Sequence, residues 1–219
     1  MEEFAVWIQT YRKAVERAFG DRICCLGIQG SRARGEAGPN SDVDMVLILD
    51  RLTPEDLEHY RMAVADLPER ELLCGFVSGR EELAQWTQGE LFQFYHDTRP
   101  LIGDLEFLRF AAGRSGAVEA VHTGACALYH ACAHNFLHGR DPEVLRELYK
   151  SAGFTLRAKC YAEKGVYCSA GRDLAEALDG EDLSILQTGE ALRQGEVVPF
   201  DAASGTLLSW TGALIRRGN

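Results

Sequence analysis

Two aspartates separated by one residue, Asp42-Val43-Asp44, follow a Gly30-Ser31 pair after an interval of ten residues. Two residues in an extended strand put their side chains on one face, with Cα atoms roughly 6.6 Å apart, so both carboxylates can address the same hard cations. Mg²⁺ takes oxygen ligands and keeps positions open for substrate phosphates. Two such ions about 4 Å apart can clamp the attacking and leaving oxygens of an in-line displacement. Gly30 lets the backbone come close to phosphate oxygens, and Ser31 adds an amide and a hydroxyl. The chemistry these residue types suit is transfer of a phosphorus-containing group, with Asp42 and Asp44 holding metal and Gly30 and Ser31 holding phosphate.

Two short apolar runs must position them, Ile23-Cys24-Cys25-Leu26-Gly27-Ile28 before the pair and Met45-Val46-Leu47-Ile48-Leu49 after it. Both have the length and branching of buried strands. The polar segment between them, with Gly35, Gly38 and Pro39, reads as a turn region. Ser41 can cap that turn or bind phosphate.

Gly-Ser, ten residues and Asp-x-Asp between two apolar strands resembles the nucleotidyltransferase superfamily that includes DNA polymerase β, and within it the kanamycin (aminoglycoside) and minimal nucleotidyltransferases. Arg34, Gly38-Pro39 and Ser41 match residues of the kanamycin enzymes. The resemblance implies that Arg34, and more weakly Arg32, contacts the triphosphate. It also implies two Mg²⁺ ions, ATP as substrate, and a third carboxylate on a third strand. The best match for that acid here is Gly75, which brings none; Glu71, Glu69 and Glu90 are the nearby acids. The general base of the kanamycin enzymes aligns with Asn135.

The net charge of -10 argues against a protein devoted to neutralising nucleic-acid phosphates. The composition, 46% hydrophobic and 26% charged, is that of a globular protein. Seven scattered cysteines form no disulfide framework or zinc knuckle. With no signal run and no membrane-length apolar stretch, the expectation is a cytoplasmic protein without a membrane partner.

Further along, residues 3–19 place Phe4, Ile8, Tyr11, Ala14, Val15 and Ala18 at helical spacing. Thr53-Pro54-Glu55-Asp56 starts a helix running to about Asp66. Residues 71–78 read as the third strand, and 91–96 and 99–102 as further strands. From Glu106 on, Ala-, Leu- and His-rich segments replace strand patterning, with Gly113–Gly116 expected as a hinge. Helices are expected at 118–137, 142–164, 170–179, 182–193 and 203–216. The element order reads as α+β, and with the resemblance it implies a nucleotidyltransferase α/β domain with a small mixed sheet, residues 1–105, followed by an all-α helical bundle, residues 106–219.

His122, His130, His134 and His138 lie on the first long helix, four residues apart but for Cys126. Four residues drift about 40° around an α-helix, so His130 and His134 face together while His122 and His138 diverge. With no acid between them, a zinc site is disfavoured. Histidine is the side chain suited to act as a base at neutral pH, which makes His134, or His130, the candidate. The function the resemblance implies is Mg²⁺-dependent transfer of AMP from ATP to a hydroxyl of a small-molecule acceptor, aminoglycoside-like or otherwise. The alternative is a degenerate nucleotide-binding protein, or a toxin–antitoxin-type interaction protein, without transferase activity. The resemblance leaves a homodimer open.

Overall fold

The computed structural model describes residues 2–38 and 41–217. Pro39 and Asn40, part of the expected turn, lie outside the described residues. The chain divides into two compact units, residues 1–86 with 94–110, and residues 87–93 with 111–219.

The first unit is built on a four-stranded sheet ordered β3-β2-β1-β4, from β1 (Ile23–Ile28), β2 (Val43–Leu49), β3 (Leu73–Gly79) and β4 (Arg99–Gly103). β1 is antiparallel to β2 and to β4, and β2 runs parallel to β3. The sheet is mixed, as expected. β3 and β4 are its edges, and β4 carries Pro100 opposite Gly27.

One face of this sheet is covered by α1 (Glu2–Phe19) and α3 (Pro54–Ala63). Helical spacing puts Trp7, Tyr11, Val15 and Phe19 of α1 into the core against Leu26, Ile28, Met45, Leu47 and Leu49. The stripe is rotated from the expected one: Ala18 is exposed and Ala14 half-buried. Larger rings displaced small residues, since burying Trp7 and Phe19 removes far more apolar surface than burying alanine. The Trp7 indole N–H donates to the Pro68 carbonyl at 2.7 Å, and the Tyr11 and Tyr60 hydroxyls meet at 3.0 Å.

α3 starts as its sequence requires. Thr53 accepts from the Asp56 amide while Asp56 accepts from the Thr53 amide, a capping box with Pro54 in the first turn. Asp56 is buried and also receives the Arg22 guanidinium at 2.6 Å.

Two local expectations are corrected. Residues 91–96 are not a strand but lie within α5 (Gln88–Asp97). Thr87 and Glu90 make a capping box there, Thr87 Oγ1 donating to Glu90 Oε2 at 2.9 Å and receiving the Glu90 amide at 3.3 Å. Residues Gly30–Arg34, read as turn, form a single helical turn, α2, ended by Gly35 at φ 74°. In the stretch Gly113–Gly116, expected as a hinge, both glycines have local structural roles. Gly113 is the N-cap of α6 (Arg114–His134), and Gly116 is buried where a Cβ would lie 2.1 Å from the Ala111 carbonyl oxygen.

After α4 (Arg80–Ala84), α5 is divided between the units, its residues up to Gln93 grouping with the helices. The second unit holds α6, α7 (Pro142–Lys164), α8 (Gly171–Ala177), α9 (Gly180–Arg193) and α10 (Phe200–Arg217). Asp141 caps α7 by accepting from the Glu143 amide at 2.8 Å, and Gly165 ends it in the left-handed conformation. Its core runs through Leu128, Leu145, Leu156, Ile185, Leu207 and Trp210. Asp182 of α9 joins three helices, accepting from the Trp210 indole at 2.7 Å and pairing with Lys159 at 2.5 Å.

Candidate active site

Gly30 and Asp44 pack directly together. Gly30 opens α2 at φ 68°, a conformation natural to glycine. A Cβ at this position would lie 1.8 Å from Asp44 Oδ2, so the Asp44 carboxylate occupies the side-chain space of residue 30. The Gln29 amide donates to the Asp44 carbonyl at 2.8 Å, continuing the β1–β2 ladder to the edge of the motif. The end of β1, the turn α2 and the start of β2 thus form one backbone cradle around Asp44.

Asp42 lies one residue before β2 and is exposed, whereas Asp44 lies within the strand and is half-buried. The backbone of Asp42 is held by Arg32, whose guanidinium donates to the Ser41 carbonyl at 2.7 Å and the Asp42 carbonyl at 3.1 Å. The same guanidinium lies 4.6 Å from the centre of the Phe4 ring. This anchoring by Arg32 was not apparent from sequence, because it depends on α2 being helical.

Arg34 forms an ion pair with Glu36 at 3.0 Å and is largely buried. Ser41 Oγ accepts from the Gly38 amide at 2.9 Å, and the Ser41 amide donates to the Gly38 carbonyl at 3.2 Å. Of the two roles open to Ser41, the structure shows the turn-closing one.

The third strand faces differently from the expectation. In the parallel β2–β3 register, Asp44 is paired with Cys74 and Met45 with Gly75. Side chains alternate along a strand, so Cys74 shares the side of Asp44, and Gly75 the side of Met45. A Cβ on Gly75 would lie 2.8 Å from the Tyr60 hydroxyl of α3. The position matched to a missing acid is thus on the helix-covered side, and the residue facing Asp44 is an exposed thiol. Glu71 lies in a 3-10 turn before the strand. Among the described residues, no three His, Cys, Asp or Glu side chains are gathered around one metal position. The cradle that a Cβ would fill and the all-oxygen donors Asp42 and Asp44 nevertheless fit a hard divalent ion.

His134 belongs to the second unit, at the end of α6. Its ring centre lies 4.9 Å from that of His138 and 6.5 Å from that of His130, and all three residues are exposed. His138 stays close to His134. Asn135–Gly139 is a π-turn, whose wider winding rotates each residue less and removes the α-helical drift. His122 lies 3.8 Å from Cys126.

Asn135 is buried, and both ends of its amide are engaged. Its Nδ2 donates to the Asp141 carbonyl at 2.9 Å, and its Oδ1 accepts from the Asp141 amide at 3.0 Å. It closes the α6–α7 connection, and a carboxamide has no basic group for proton transfer.

Residues 8–94 match the family model of the nucleotidyltransferase domain. The N-terminal part of this chain is a nucleotidyltransferase domain. The crystal structure of spectinomycin adenyltransferase AAD(9) from Enterococcus faecialis, with ATP and spectinomycin, has a similar fold, with a TM-score of 0.60 at 13% identity over 97% of this chain and 99% of that one. No curated protein matches the chain by sequence. The match to AAD(9) covers the helical unit as well as the sheet, so the α+β architecture is shared end to end. No helix of the described residues is long and apolar enough to cross a membrane.

Proposed function

We propose that this protein transfers AMP from ATP to a hydroxyl of a small-molecule acceptor. The observation that carries this reading is the cradle in which Asp44 fills the side-chain space of Gly30, inside the segment that matches the nucleotidyltransferase domain. AAD(9) is an adenyltransferase for spectinomycin, and the shared fold supports an amine-bearing cyclic alcohol as the acceptor class to try first. The net charge of -10 suits a cationic acceptor.

In this reading Gly30 and Ser31 hold the triphosphate by backbone amides and the Ser31 hydroxyl. Asp42 and Asp44 would hold Mg²⁺, two ions in the full site. Bound there, the metal would neutralise charge on the phosphates; the acceptor oxygen bonds to the α-phosphorus, its proton passes to a base, and pyrophosphate leaves. Arg32 fixes the backbone of Asp42, and Arg34 can reach the phosphates only by sharing or leaving Glu36. His134, exposed on α6, is the proposed base for the acceptor proton. Most of the rate enhancement comes from positioning and fixed charge.

The deciding experiment is calorimetric titration of ATP with Mg²⁺ into the wild type and Asp42→Ala/Asp44→Ala, with pyrophosphate release followed over a panel of aminocyclitols and aminoglycosides. Binding that depends on both aspartates, with release on one acceptor, establishes the reading. A His134→Ala variant with unchanged turnover removes the base. A second reading, a nucleotide-binding protein without turnover, draws on Cys74 facing Asp44 and on the tied amide of Asn135. It predicts metal-dependent ATP binding with no release on any acceptor.

A further inference from the structure

The side of the sheet that bears Asp44 also bears three packed aromatic rings. Phe76 lies two residues beyond Cys74 on β3 and so shares that side, about 6.6 Å further along the strand. Trp86, two residues after α4, meets the Phe76 ring at 5.5 Å with planes 86° apart. Phe94 of α5 meets Phe76 at 5.0 Å and Trp86 at 6.5 Å, the latter with planes 69° apart.

This cluster is one residue away from the cradle. The Phe94 carbonyl accepts from the Gln29 side chain at 3.5 Å, and Gln29 Nε2 also donates to Thr98 Oγ1 at 2.7 Å. Gln29 immediately precedes Gly30, and its amide holds the Asp44 carbonyl. Trp7 and Trp210 are 5% and 2% exposed, but Trp86 is 41% exposed. Leaving a ring of this size half in water forgoes a large hydrophobic gain. Neither Phe76 nor Phe94 lies parallel to the indole, so a stacked partner is the geometry its neighbours do not supply.

We infer that Trp86 is the stacking surface for the base of the nucleotide whose phosphates lie at Gly30 and Asp44. This rests on the transferase reading above and adds a residue that selects for a planar base. The base is tethered to the phosphates through the ribose, which confines it to the neighbourhood of the cradle. Phe76 and Phe94 set the indole's orientation by edge contacts.

The test uses the full chain, reading tryptophan emission and calorimetry during titration with Mg²⁺–ATP and, separately, Mg²⁺–tripolyphosphate, which has no base. ATP is expected to quench emission in the wild type. Trp86→Phe should abolish the quench and keep ATP affinity within about threefold. Trp86→Ala should weaken ATP about tenfold and leave tripolyphosphate unchanged. If Asp44→Asn abolishes ATP binding while Trp86→Ala does not alter it, the nucleotide site stands and the stacking role falls. If Trp86→Ala weakens both ligands equally, or if only an amine-bearing acceptor quenches Trp86, the assignment to the base is overturned. If neither phosphate ligand binds the wild type, the underlying reading fails and takes this inference with it.

Discussion

The Asp44 carboxylate occupies the volume that a side chain at Gly30 would need, a Cβ there falling 1.8 Å from Oδ2. Gly30→Ala therefore carries two penalties: the left-handed backbone, about 1–2 kcal/mol for a residue with a Cβ, and displacement of the carboxylate. Because misplacing a reacting group by about 1 Å costs on the order of 100-fold, kcat/KM in pyrophosphate release should drop about that far. Gly35→Ala is the control. It shares the positive φ, with nothing within 4 Å of its Cβ, so it should lower thermal stability and keep kcat. Equal kinetic losses in both variants would show that backbone strain, not the carboxylate, is responsible.

The β2–β3 register separates two neighbouring positions. Cys74→Asp adds a carboxylate on the side of Asp44 and should tighten Mg²⁺ binding several-fold in calorimetry. Gly75→Asp instead drives a carboxylate at the Tyr60 hydroxyl, which already meets Tyr11. It should cost about 1–3 kcal/mol in denaturant unfolding without tightening Mg²⁺. The reverse pattern would mean that Gly75 is the position facing the metal.

Asn135 ties both backbone groups of Asp141 across the α6–α7 connection. Asn135→Ala leaves buried partners unmade and should destabilise the chain by about 2 kcal/mol, while kcat of the surviving folded protein holds. Asn135→Asp keeps the acceptor but loses the donor and is expected to fall between. A kcat loss in Asn135→Ala at temperatures where it is fully folded would return this residue to the chemistry.

Asp56 is held well below the ordinary carboxylate range, chiefly by hydrogen bonds from the Arg22 guanidinium and then by those from Thr53, against the opposing effect of burial. A carboxyl depressed in the folded state adds stability above its unfolded pKa near 3.9 and loses it as pH falls toward the folded value. Acid unfolding followed by circular dichroism should therefore begin below about pH 4. Asp56→Asn should be less stable than the wild type at pH 7, with the gap narrowing as pH drops through this window. Thr53→Ala, which removes the cap, should cost about 1 kcal/mol. A constant gap between Asp56→Asn and the wild type from pH 7 to pH 2 would exclude the ionised carboxylate as the cause.

How much could be read from residue order follows a physical division. β1, β2 and α7 were legible because branched apolar runs and the Asp141–Gly165 caps act locally. Gly30 and Asp44 were recognisable as a pair by spacing, although their contact distance depends on α2 being helical. α5 was misread because Leu91 to Tyr95 has strand composition, while the capping box Thr87–Glu90 that starts the helix was in plain view. Gly75 lies one residue from the position that shares the side of Asp44. A single step in a strand reverses the face, and only pairing with β2 fixes it. The roles of Arg32 and Asn135 are set by partners nine and six residues away, which periodicity does not encode.

The way β4 closes the sheet bears on crowding. A bare border strand invites a neighbouring molecule to add its own backbone, the first step toward fibrous association. Here that border is five residues long, contains a proline that lacks a donor, and shifts register against β1 between Leu26 and Gly27. A template so short and broken gives an incoming strand few successive bonds, so growth of the sheet from molecule to molecule is discouraged on the β4 side even at high protein concentration.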